Sequence, residues 1–218
     1  MNDVENLLKL FKETEPKYEA VLPYSKKNVL FTPFKVKDAK KIGLILQENN
    51  KKLSLYTLYE TLKNNTDNID IGELCLADAE YLFLQIRSKS VDELLNVIVN
   101  NNKHKIRIFD IEPLNQIQNN TVEINEKIFI ELETPRLKNL LKKDIFDSET
   151  YFKSCINKIS ISGQVFYVNK FLNEESENLI NNLPLTVIEK IKKFVENEPK
   201  LFFKLDEGEV SGLLSFFT

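Results

Sequence analysis

The stretch LADAEYLFLQIRSKSVDE, Leu76 to Glu93, constrains the fold of this chain more than any other. Leu76, Ala79, Phe83 and Ile86 recur at spacings of three, four and three, which predicts a helix with one buried stripe. Tyr81 and Leu84 lie well off that stripe, so the helix is apolar over much more than one face. Such a helix is either central in its domain or has a side covered by another protein. At Tyr81 and Leu84 the sequence leaves both readings open. Asp78 and Glu80 at the start, with Arg87 and Lys89 at the end, complement a helix dipole, each contributing about 0.3–1 kcal/mol.

Around this helix the periodicity alternates between helix and strand. Residues 3–14 carry Val4, Leu7, Leu8 and Phe11 as an amphipathic helical stripe. The following TEPKYEAVLPYSKKN has two prolines and no period, and reads as an extended arm. NVLFTPFKV reads as a strand, with Pro33 at an edge or bulge. Residues 38–49 and 53–64 read as helices, and TDNIDIGE as a turn-rich break. After Ser90 the pattern changes to hairpins. ELLNVIVN and KIRIFDI flank a polar NNKH turn, TVEIN and IFIELE flank Glu126–Lys127, and ISI and QVFYV flank Ser162–Gly163. Residues 137–143 and 147–158 read as helices. LTVIEKIKKFVENEP is an amphipathic helix with Val187, Ile191 and Phe194 on one face. Thr186 and Glu189 stand at capping-box spacing, and Pro199 stops the helix. The end, LFFKLDEGEVSGLLSFFT, is strongly apolar. Helices mixed with antiparallel hairpins, without strict alternation, predict an α+β fold and no doubly wound parallel sheet. The expected division is an N-terminal helix and arm over 1–24, an α+β region over 25–112 and a second over 113–218, the last two able to form one continuous domain.

The residues offer little chemistry. The 218 residues carry 30 basic and 33 acidic side chains, a net charge of -3, which argues against nucleic acid as a partner. Three arginines, many lysines and 24 asparagines suggest an A/T-rich genome, so asparagine patches such as Asn100–Asn102 are not read as ligands. One histidine, His104, placed by its context in an exposed turn, makes a His-based metal site an unsupported reading. Five glycines form no phosphate-cradling or nucleophile-elbow motif. Asp110 with Glu112, and Glu131 with Glu133, could share a strand face but lack further oxygen ligands. Sequence distance does not forbid a Cys155–His104 nucleophile pair. Cys155 reads as mid-helix and core-facing, however, where its thiolate is disfavoured. Cys75 and Cys155 give no disulfide framework and fit a reducing cytoplasm. No signal peptide and no membrane-length apolar run is visible. The expectation is an intracellular, soluble protein with no catalytic, cofactor or metal residues and no membrane or nucleic-acid partner, a cytosolic Cys-dependent hydrolase being the less favoured alternative.

Taken in order, FTPFKVKDAKKI, then about 40 residues, then LADAEYLFLQIRSKSVDE, resemble the T-even-type phage baseplate family. The matching residues are Phe31, Pro33 and Phe34, then Asp78, Tyr81, Leu82, Phe83, Arg87 and Ser90. The C-terminal half is similar too, with a helix ending before Asn-Glu-Pro, then Leu201 and a terminal SGLLSFF. The chain departs from the family at Asp92, where glycine is usual. It also lacks the paired cysteines, suggestive of zinc, that some relatives carry, so no metal is carried over. The resemblance implies assembly of the central hub of a T4-like baseplate, as a chaperone or scaffold in the host cytoplasm. The alternative is a permanent subunit of the virion baseplate. Its implied partners are other baseplate or hub proteins, and the oligomeric state stays open. Contact residues on this reading are Tyr81, Leu84, Arg87 and Ser90, with Leu213, Leu214, Phe216 and Phe217 of the tail. The tail could equally dock on the chain's own core.

Overall fold

A computed structural model describes residues 3–48, 50–116, 119–142, 148–168, 173–206 and 208–211. Helix α1 (Asp3–Glu13) leads to a hairpin of β1 (Tyr18–Val21) and β2 (Asn28–Phe31), then to α2 (Val36–Glu48) and α3 (Lys51–Asn65). Strand β3 (Thr66–Asp67) joins β2, and a 3-10 turn over Ile71–Glu73 opens into α4 (Leu76–Ser90). The hairpin of β4 (Leu94–Val99) and β5 (Asn102–Arg107) follows, then β6 (Glu112–Leu114), β7 (Asn119–Asn125) and β8 (Ile128–Glu133). Helices α5 (Leu137–Leu140) and α6 (Ser148–Cys155) precede β9 (Ile156–Ile161) and β10 (Gln164–Tyr167). Finally α7 (Asn173–Asn181) and α8 (Leu185–Glu196) lead to β11 (Lys200–Leu205) and β12 (Gly208–Ser211). Strands β7 to β10 form one meander, β6 pairs with β11 beside β12, and every strand pairing among the described residues is antiparallel. The fold is α+β.

Helix α4 is the centre of the molecule. Ala79, Leu82, Phe83 and Ile86 pack into a first core with Val29, Phe31, Leu55, Leu58 and Leu62, between α3 and the β1–β2–β3 sheet. On its other side, Leu84 belongs to a second core with Leu95, Val97, Ile106, Leu201 and Val210, between the β4–β5 hairpin and β11–β12. Tyr81 bridges the two. Apolar surface on both sides thus has intramolecular partners, which resolves the first ambiguity of the sequence. A third core joins the inner face of the β7–β10 meander to α6 and α8, through Ile130, Leu132, Cys155, Ile159, Val187, Ile191 and Phe194.

Buried polar groups lock the ends of α4 in place. Asp78, fully buried, accepts hydrogen bonds from the backbone N–H groups of Tyr24 and Ser25, both at 2.9 Å, and so holds the β1–β2 turn. The Tyr24 hydroxyl reaches the carbonyls of Leu114 (2.9 Å) and Lys200 (2.6 Å), tying that turn to the β6–β11 pair. At the other end, Ser90 Oγ donates to the Ile86 carbonyl at 2.6 Å and accepts the Phe34 N–H at 2.7 Å. The Phe34 ring lies 5.1 Å from Phe83. Phe31, Phe34, Phe83 and Ser90, which are separate motifs in sequence, therefore meet in one junction.

Several local expectations are corrected. The supposed arm contains strand β1, because pairing with β2 supplies the order that its composition does not show: Tyr18 faces Phe31 and Val21 faces Asn28. The β4–β5 turn is two residues, not four. Asn100 and Asn101 both take positive φ (49° and 65°), a conformation asparagine tolerates better than most residues and one that a tight hairpin needs. His104 consequently sits inside β5 opposite Val97, half-buried rather than in an exposed turn. The helix expected over 147–158 ends at Cys155, and β9 begins at once, since Ile156–Ile161 pairs with β8. No capping box forms at α8: Pro184 occupies the cap position, which leaves Thr186 inside the first turn. The apolar end contributes a hairpin, β11–β12.

Candidate interaction surface and an acidic cleft

Of the residues singled out in sequence, Leu84 is 2 % exposed and committed to its own core. Arg87 donates from Nη1 to the carbonyls of Asp92 (3.1 Å) and Leu94 (3.0 Å), closing the α4–β4 connection. Ser90 is used as described above, and Tyr81 is half-buried between two cores. These four side chains are engaged within the chain. Leu213, Leu214, Phe216 and Phe217 lie outside the described residues.

Open apolar surface is found elsewhere. On α1, Val4, Leu7, Leu10 and Phe11 are between 52 % and 67 % exposed, although their spacing places them along one side of the helix. An amphipathic helix gains stability from burying such a face, so this one is left for something else to cover. The second open surface is β10, an edge strand in which Val165, Phe166 and Tyr167 are all exposed. An edge strand of β-branched and aromatic residues offers unpaired backbone groups and side-chain grip to another strand. The α1 stripe is visible in the sequence as a period; its lack of a cover is not.

Both cysteines are buried. Cys155 is fully buried at the end of α6, its Sγ 3.5 Å from both the Tyr151 carbonyl and Glu198 Oε1. Burial, then the nearby Glu198 carboxylate, pushes its thiol far above the ordinary range. His104 is on the β4–β5 hairpin, which packs on a different core from that of Cys155. Cys75 is pushed up to about 12, by burial first and Asp78 second. Among the described residues no group of three or more His, Cys, Asp and Glu is placed to hold a metal ion, and no helix is long and apolar enough to cross a membrane.

Two clefts flank the Thr134–Pro135 link between β8 and α5. The one of about 300 Å³ is basic, but Arg136 pairs with Glu133 at 2.9 Å, Lys138 with Glu73, and Lys153 with Glu177 at 3.7 Å. The other, about 250 Å³, lies between the start of α4, the end of α8 and the Glu198–Lys200 segment. Glu198 takes the Tyr151 hydroxyl as donor and is itself raised, chiefly by burial. Glu80 also lines this cleft, 4 % exposed, and its Oε1 has no hydrogen-bond partner among the described residues. Burial alone drives its carboxyl up to about 8. Glu80 therefore cannot serve as the helix-dipole anion that its position in sequence suggests, because at neutral pH it is largely protonated.

Apolar surface left open on a helix and a strand edge defines a protein equipped for contact with other proteins. The profile of a family described as T4 bacteriophage base plate protein matches residues 15–217, and the chain belongs to that family. Membership assigns it a structural or assembly role in the phage baseplate, among other baseplate proteins. Searches of curated proteins and of solved structures each returned no match.

Proposed function

We propose that this chain is a non-enzymatic assembly protein of the baseplate hub of a contractile-tailed phage, a chaperone or scaffold that works in the host cytoplasm through protein–protein contacts. The observation that carries this reading is the uncovered apolar face of α1, at Val4, Leu7, Leu10 and Phe11. The family match begins at residue 15, so α1 lies outside it. On this reading α1 is an attachment to the shared fold that selects a partner, and the β10 edge provides a second grip. The apolar tail, with Leu213, Leu214, Phe216 and Phe217, is assigned to the same contacts, while Tyr81, Arg87 and Ser90 fix the frame that presents them. Burial of Cys155 and its separation from His104 weigh against the Cys-dependent hydrolase.

A permanent baseplate subunit is the second reading, favoured by the family description itself. Quantitative mass spectrometry of purified virions separates the two. An assembly factor is absent or far below the stoichiometry of tail proteins, whereas a permanent subunit is present at a fixed copy number per tail.

A further inference from the structure

The cleft beside Glu80 has features that the assembly role does not account for. Glu80 and Thr134 both line it, both are buried (Glu80 is 4 % and Thr134 6 % exposed), and Glu80 Oε1 and Thr134 Oγ1, enclosed behind its wall, have no hydrogen-bond partner among the described residues. Buried polar atoms are nearly always paired, and leaving one unpaired costs about 1–3 kcal/mol, so two in one cleft call for a ligand. The space of about 250 Å³ exceeds what one bridging water needs, since a water occupies about 30 Å³ in the liquid. Leu76, Ala77, Pro135 and Val195 give the cleft apolar walls, while its acids are Glu80, Glu196 and Glu198 against one cation, Lys200. A phosphate would find Lys200 as its single cationic partner there, facing three carboxyl groups. The absence of any group of three or more His, Cys, Asp and Glu placed to hold a metal, among the described residues, argues against a metal ion. Apolar walls around acidic acceptors match an alkyl stem that carries a cationic head.

We propose that this cleft receives the basic side chain, arginine or lysine, of a partner protein, with Glu80 and Thr134 as the acceptors that hold its head. Only the source of the cation rests on the assembly reading; the site itself does not. Seating a cation beside Glu80 favours its ionised form, so binding releases a proton and strengthens as pH rises toward about 8. Glu196, Glu198, Lys200, Tyr151 and Cys75 also face the cleft, and burial raises Glu198, Tyr151 and Cys75 as it does Glu80.

The test is a titration of the full chain with N-acetyl-argininamide and N-acetyl-lysinamide, following methyl resonances of Ala77, Thr134 and Val195. Saturable shifts of these methyls are expected, weakened at least about tenfold in Glu80→Gln and in Thr134→Val, and unchanged in Glu123→Gln on the exposed face of β7, away from the cleft. Because the two buried variants replace side chains by near-isosteres, retained methyl dispersion shows that they fold. The neutral urea isostere, N-acetyl-citrulline amide, should not bind. Absence of saturable shifts, equal binding of the citrulline compound, or full affinity in Glu80→Gln overturns the site. Putrescine binding as tightly as the blocked arginine and lysine overturns the assignment to a protein side chain. The titration uses no partner protein, so its failure is distinct from failure of the assembly role.

Discussion

Replacing Glu80 by glutamine should make the protein more stable at neutral pH, and the gain should depend on pH in a defined way. The Glu80 carboxyl titrates near 8 in the folded chain and near 4.5 when unfolded, because burial removes the water that would solvate its charge. Between those values the folded state keeps a proton that the unfolded state releases. The sign follows: relative stability is complete below pH 4.5 and is lost as pH rises toward 8, by about 1.4 kcal/mol per pH unit. From pH 4.5 to pH 7 this amounts to roughly 3 kcal/mol. Glutamine has the same shape and does not titrate, so its own burial cost is independent of pH. Urea unfolding of both proteins at intervals from pH 5 to pH 7.5 gives the difference directly. Glu198 titrates in both and drops out of that difference. The stability of the variant relative to the parent should climb steadily across the range. A difference that stays constant within about 0.5 kcal/mol would refute the reasoning, because it would mean that Glu80 is charged and compensated in the folded chain.

Other outcomes follow from the same packing. Leu84→Ala should cost about 2–5 kcal/mol in chemical denaturation, since Leu84 is enclosed between α4, the β4–β5 hairpin and β11–β12; a loss below 1 kcal/mol would put that face of the helix in solvent or against a partner. Asp78→Ala should cost at least about 2 kcal/mol, because the N–H groups of Tyr24 and Ser25 lose their charged acceptor in a buried setting. Cys75 and Cys155 should resist iodoacetamide in the native protein at pH 7.5 and react fully once it is unfolded. Fast native labelling of Cys155 would revive a thiol-based activity.

The fold was legible where periodicity is strong and local. The α1, α4 and α8 stripes and the hairpins at β4–β5, β7–β8 and β9–β10 all stand in the sequence as local patterns, and residues 53–64 read as the helix that α3 is. What was missed depends on distant partners. Strand β1 has no pattern of its own and is ordered by β2, and β11 is a strand because β6 and β12 flank it. Cys155 marks a helix-to-strand switch that no spacing announces. At the candidate site, sequence patterns identified the excess apolar character of α4 but not its destination. Leu84 found a core because β11 arrives from more than 100 residues away. Glu80 looked like a dipole partner, and only tertiary burial turns it into an unpaired acid. The sequence places the β4–β5 turn at NNKH, and the strand pairing moves it to Asn100 and Asn101.

The central claim, that this chain acts by presenting uncovered apolar surface to other baseplate proteins, is tested most directly on α1. Leu7→Glu with Phe11→Glu changes two side chains that are already more than half exposed, so the fold should melt within a few degrees of the parent. Co-expression with the hub and baseplate proteins of the same phage, followed by size-exclusion chromatography, then reads assembly. The account predicts that the parent elutes in a complex and the variant elutes alone. A variant that folds normally and still enters the complex at the parent's yield would contradict it.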